Sequence, residues 1–213
     1  MPAAGSSRLP WILGVSGASG TPYAAAVLRA LCEAGEAVDL VVSRAARLTI
    51  LDETGHTFRD AHWREDLATW LGVPLDGADL RYWPAGDLAA GPSSGSYRAQ
   101  GMIVVPASTA ACAGIALGLS KDLLQRAAEV NLKERRPVVI VPRETPVTRS
   151  HLLHLVELID SGAVVLPASP GFYGSGAGAT AQQLVDFVAG KVLDAVHVEH
   201  TLLTRWTGHL GTR

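Results

Sequence analysis

The chain has 213 residues, 48% of them hydrophobic and 18% charged, with a formal net charge of −2. That is enough for one globular domain with a buried core, and it excludes a disordered chain. The balanced charge leaves no footprint for nucleic acid, and no apolar run approaches the roughly 18 residues that span a bilayer, so no membrane is expected.

Residues 1–10 lack the apolar middle of a signal peptide and read as a lead-in to a domain over residues 11–196. Short Val- and Ile-rich runs recur at 11–15, 38–42, 102–105, 138–141 and 164–166. Each is nearly continuous rather than alternating, which suits strands covered on both faces of a parallel sheet. Helical patterns lie between them. Residues 22–34 have Thr21 as N-cap, Pro22 at the first position and Gly35 as the stop. Residues 122–136 end at Pro137, 147–161 end at Gly162, and 181–196 close the domain. This alternation predicts an α/β fold, a three-layer doubly wound parallel sheet. Residues 76–97 and the run "GSGAGA" at 174–179 break the rhythm and read as loops. Such loops can reach the carboxyl edge of the sheet, where ligands bind, or can be plain surface connections.

The first strand runs into "GVSGASG" and then a helix, a turn that offers backbone N–H groups to an anion. A Walker loop would need a lysine that is absent. The dinucleotide fingerprint would need glycine at Val15 and an acid where Ser43 and Arg44 stand. A single phosphate, as on FMN, therefore fits better than NAD, and a glycine turn serving packing alone is the alternative. Arg126 and Lys133, seven apart, share a helix face, and Arg143-Glu144 stands at a strand exit. Tyr173 follows Pro170 and Gly171 and is presented from a loop. The two cysteines, Cys32 and Cys112, have no metal or redox spacing and read as free thiols of a cytoplasmic protein. His151 with His154, and His197 with His200, lack partners at metal spacing, so no metal site is expected.

The blocks "GVSGASG", "VSRAA", "PASTAACAGIALG", "LLQRAAEVNLKERRPVVIVPRETP", "GAVVLPASPGFY" and a late "RW" resemble, in order, the UbiX-type flavin prenyltransferases. The resemblance implies a flavodoxin-like Rossmann sheet and FMN bound in a homododecamer. It implies transfer of a dimethylallyl group from dimethylallyl monophosphate to N5 and C6 of reduced FMN, without metal. The product, prenylated FMN, passes to a UbiD-type decarboxylase. The family's FMN contacts fall on Gly17, Ala18, Ser19, Ser43, Ser108, Thr109, Ala110, Ala111 and Arg143. Its prenyl-phosphate contacts fall on Tyr173 and Lys191, with Lys133 and Arg126 nearby, and its proton-handling positions on Glu144, Ser19 and Glu53. Lys133 also counts as catalytic through the departing phosphate. "SSGSY", residues 93–97, matches a segment that closes over the site, and residues 197–213 match a tail packed on a neighbouring subunit. Lys191 replaces a common arginine, which loses the two-pronged grip on phosphate. An FMN-dependent cysteine decarboxylase and a non-catalytic flavin carrier are the alternatives. The former's Pro-x-Met-Asn motif is absent.

Overall fold

A computed structural model describes residues 8–172 and 178–205. The elements run β1 (Trp11–Val15), α1 (Thr21–Glu33), β2 (Val38–Val42), α2 (Arg44–Thr54), α3 (Trp63–Leu71), β3 (Leu80–Tyr82), β4 (Gly101–Ala107), α4 (Thr109–Ala116), α5 (Leu123–Lys133), β5 (Val138–Pro142), α6 (Arg149–Asp160), β6 (Val164–Val165) and α7 (Ala181–Ala195). All strand pairs are parallel, in the order β3-β2-β1-β4-β5-β6. Without the edge strand β3, the order is that of a flavodoxin sheet, with its switch point between β1 and β4.

Successive side chains of each strand enter opposite layers, as strand geometry requires. Leu13 and Val15 of β1 join Ile103 and Val105 of β4 on the face covered by α1, α2, α3 and α7. Ile12, Met102 and Val104 point the other way, to Leu124 of α5 and Leu158 of α6. Every residue of β1, β2 and β4 is buried, which is why these strands read as nearly continuous apolar runs, interrupted in β2 by the buried Asp39.

The loop expected over residues 76–97 contains a strand instead. Leu80, Arg81 and Tyr82 pair with Val38, Asp39 and Leu40. Three residues at a sheet edge are too few to show a period, and only Leu80 of them is buried. Thr21 is the first residue of α1 rather than its cap; Gly20, at φ 108°, is the cap and has no capping side chain of its own. Helix α5 stops at Lys133, because Arg135 takes a positive φ of 57° before Pro137. Helix α6 starts at Arg149, where Thr148 and His151 form a capping box.

Candidate active site

Helices α1, α2, α4 and α5 all begin at the carboxyl edge of the sheet. Ser43 caps α2 by accepting from Ala46 N at 3.1 Å, and Ser108 caps α4 by accepting from Ala111 N at 3.2 Å. The first N–H groups of a helix have no partner within it, and its dipole adds partial positive charge there. A hollow of about 190 Å³ lies among these starts, lined by Gly17, Ser43, Arg44, Ser108, Ala110 and Ala111. A Cβ at Gly17 would collide with Cβ of Ala45 and lie 3.0 Å from its carbonyl carbon. Only glycine lets the turn and α2 come together here. Hydroxyls, N–H groups and no acid at the end of β2 make a donor set that fits a phosphate monoester; the one carboxylate in the lining, Asp122, is taken up in capping α5, where it accepts from Gln125 N at 2.9 Å.

Ser16, the first residue of the turn expected to hold the anion, is the bolt of this edge. Its hydroxyl donates to Pro106 O at 2.8 Å and accepts from Ser108 N at 2.7 Å. It joins the ends of β1 and β4 across the switch point, and it is buried.

The turn after β1 already holds an anion. The Glu53 carboxylate, from the last turn of α2, accepts from Gly20 N and Thr21 N, each at 2.8 Å, and from Thr21 Oγ1 at 2.7 Å. Burial opposes ionisation of Glu53. The hydrogen bonds from Ser19, Thr21 and the two backbone N–H groups outweigh it, and hold the carboxyl below its usual range. Arg143 Nε donates to Ser19 O at 3.1 Å, so the exit of β5 is tied to the same turn. Ser19, Glu53 and Arg143 therefore meet. Of the other turn residues, Gly17 lines the hollow, while the N–H of Ala18 turns back to Ser16 O at 2.9 Å.

Beside the hollow is a second, mainly apolar cavity of about 250 Å³, lined by Thr109, Cys112, Glu144, Val147, His151 and Leu155 among others. Glu144 is exposed at its rim and accepts from Thr145 N at 3.1 Å. Burial pushes the Cys112 thiol up to about 12, so it is not a nucleophile at neutral pH. His151 is engaged in the cap of α6, and His200 bonds to Asp194 at 3.1 Å.

The cations expected around the prenyl phosphate do not gather here. Lys133 ends α5, five residues before β5 begins, and so lies toward the amino edge of the sheet. There it pairs with Glu134. Arg126, higher on α5, donates to Ser93 O and to Glu129, each at 3.1 Å. Lys191 is on α7, across the sheet from α5, and pairs with Asp194 at 3.5 Å. Within one chain the sheet separates Lys133 from Lys191. The segment over residues 93–97 also descends along α5 to the amino edge, so it does not cover the hollow of its own chain. Tyr173 and Trp206 lie outside the described residues.

An anion hollow at the switch point of a doubly wound sheet, flanked by an arginine and two carboxylates, defines a mononucleotide-binding α/β protein. Residues 3–193 match the Flavoprotein family. A flavin prenyltransferase UbiX of Streptomyces coelicolor is 66% identical, over 95% of this chain and 97% of that protein. The crystal structure of AnUbiX (PadA1) in complex with FMN and dimethylallyl pyrophosphate is similar at a TM-score of 0.83 and 35% identity, over 95% of this chain and 100% of that one. A dodecameric FMN-dependent UbiX-like decarboxylase from Escherichia coli matches at a TM-score of 0.82 and 37% identity, over 94% of this chain and 100% of that one. The chain belongs to the Flavoprotein family and, within it, to the UbiX-type flavin prenyltransferases.

Proposed function

We propose that this protein prenylates reduced FMN at N5 and C6 with the dimethylallyl group of dimethylallyl monophosphate, releasing phosphate. The observation that carries this reading is the hollow between the starts of α2 and α4, with Arg143, Ser19 and Glu53 on one side and the Glu144 cavity on the other. Gly17, Ala18, Ser19, Ser43, Ser108 to Ala111 and Arg143 hold the FMN. Glu144 moves the proton, either at phosphate departure or from C6 at ring closure. Glu53, held ionised by its donors, fixes the Ser19 turn; the same donors make it a weak base, so its part in proton handling is to orient Ser19.

Lys133, Arg126, Lys191 and Tyr173 bind the prenyl phosphate, and neighbouring copies complete the set. Support for assembly comes from α6, where Leu152, Leu153, Val156 and Ile159 stand 50%, 47%, 51% and 54% exposed. Contiguous apolar surface of this kind marks an interface. The E. coli relative is dodecameric, and a homododecamer is the assembly we propose. The start of the tail, expected on a neighbour, lies on this chain's own α7: Val198 is buried, and His200 and Leu203 lie against Gly190. No described helix is long and apolar enough to cross a membrane. We place the protein in the cytoplasm, handing prenylated FMN to a UbiD-type decarboxylase.

The test is an anaerobic mixture of protein, reduced FMN and dimethylallyl monophosphate, followed by the flavin spectrum, with excess EDTA in one arm and Mg²⁺ in another. A new flavin spectrum in both arms is expected, because fixed cations can do a metal's work on a departing phosphate. An unchanged spectrum would leave a flavin carrier. Activity lost with EDTA and restored by Mg²⁺ would overturn the cation account. Lys133→Met should raise KM for the donor and leave FMN binding intact.

A further inference from the structure

Residues 91–97 form a strap pinned at several points. Arg126 Nε donates to Ser93 O at 3.1 Å, and Arg136 donates to Gly95 O at 3.0 Å. The Tyr97 hydroxyl donates to Asp39 Oδ2 at 2.5 Å, and Asp39, wholly buried in β2, also accepts from Arg81 Nε at 2.7 Å. The Tyr97 ring stands edge-on to Trp83, with centroids 6.5 Å apart, and closes against Gly91, where a Cβ would lie 2.6 Å from it. An exposed loop with a buried ionic anchor is a fixed wall.

Lys133 rests against that wall. A Cβ on Gly95 would lie 2.7 Å from Lys133 Nζ and would also collide with the Glu134 carboxylate. Gly95 does not have a positive φ, so its backbone does not demand glycine. What demands it is the space taken by the ammonium and its paired carboxylate. The nearest atoms are the ends of two flexible side chains. A methyl group there would displace Lys133 and Glu134 without disturbing the core.

We propose that Gly95 is a positioning residue for the prenyl-donor site: it is the gap in a pinned strap that sets where the Lys133 ammonium meets the phosphate of an allylic monophosphate. The proposal rests on the reading of Lys133 as a donor-phosphate contact. Its expected effect is on donor binding, since within its own chain the strap does not touch the FMN hollow.

The test is a double-mutant cycle on the full chain, with Gly95→Ala, Lys133→Met and the double variant, reading KM for dimethylallyl monophosphate, kcat, FMN affinity and Tm. Gly95→Ala should raise KM about tenfold, as expected for one weakened charge-assisted contact, with FMN affinity and Tm unchanged. In the Lys133→Met background it should add nothing, because the group it moves is gone. Tyr97→Phe, which releases the strap at its other end, should raise KM in the same way. An unchanged KM in Gly95→Ala, beside a raised KM in Lys133→Met, overturns the proposal and leaves the donor-site reading standing. A rise of equal size in the Lys133→Met background also overturns it, since Gly95 would then act by another route. An unchanged KM in Lys133→Met removes the donor-site reading and the proposal with it.

Discussion

The two edges of the sheet are built from different materials. The carboxyl edge uses backbone N–H groups, small residues and short caps: Gly17, Ser16, Ser43, Ser108 and Ala111. The amino edge uses long charged side chains held by a strap: Lys133, Glu134, Arg136 and, beneath them, Asp39 with Arg81 and Tyr97. A backbone cradle is built from close contacts, and at Gly17 it tolerates almost no added atoms. Long cations can be presented outward to another molecule, and can be moved without unfolding anything. The first edge suits a ligand held in place, and the second suits a contact offered to a neighbour.

The largest expected effect falls on the chemistry at the carboxyl edge. Glu144→Gln keeps the shape and removes the acid–base group, so turnover should fall by about 10²–10⁴ while FMN still binds. Turnover near wild type, measured anaerobically, would remove Glu144 from the mechanism. Next comes the cradle. Gly17→Ala forces a methyl against Ala45, and overpacking of this kind costs about 1–3 kcal/mol. It should appear as weakened FMN binding by titration, where the matching change at the other edge, Gly95→Ala, leaves FMN binding alone. If both glycines affect FMN equally, the contrast between the edges fails. Smaller again is Tyr97→Phe, which takes one donor from buried Asp39 and should lower stability by roughly 1.5 kcal/mol in denaturant unfolding.

The finest test uses one carboxylate from each edge, because their protonation is linked to folding with opposite sign. Glu53 is held below its ordinary range, so the unfolded chain binds more protons than the native one just below about pH 4.3. Its contribution is present above that range and is lost as pH falls through the lowered value. Burial pushes Asp39 above its ordinary range, against the pull of Tyr97, Arg81 and Trp83. From about pH 3.9 upward the native chain holds a proton that the unfolded chain has released, so this group's contribution declines as pH rises toward the raised value. In Tm measured from pH 3 to 6, Glu53→Gln should flatten the acid limb and Asp39→Asn should steepen it. Shifts of the same sign in both variants would show that one of the two environments is misread.

Most of the cradle was legible in the sequence, and the reason is locality. Gly17 and Arg143 stand where a buried apolar run stops, so strand ends point to them; Ser43 stands out there only for the acid it lacks, and Ser108 is reached only through the family resemblance. Glu53 acts as a cap from 32 and 33 residues away, and no local pattern could show that it replaces a cap on α1. Ser16 hides in a glycine-rich turn, and its bolt to Pro106 and Ser108 exists only once β1 and β4 are adjacent. At the amino edge, the period of α5 correctly gave Lys133 and Arg126 a common helix. It carried no information about which end of the sheet that helix would bring Lys133 to. β3 escaped notice because a three-residue edge strand has no room for a pattern.

The turn after β1 looks like a berth for phosphate, yet a tenant occupies it. Glu53 sits on the donors of Gly20 and Thr21, so an arriving dianion would meet repulsion there and attraction one step away, at the starts of α2 and α4. The carboxylate works as a signpost: it turns a broad positive rim into a single address. It also means that emptying the berth, by shortening Glu53 to alanine, creates a second address beside the first. A chain altered in this way should show a new, weak affinity for inorganic phosphate that competes with flavin placement, a loss of discrimination caused by removing a negative charge.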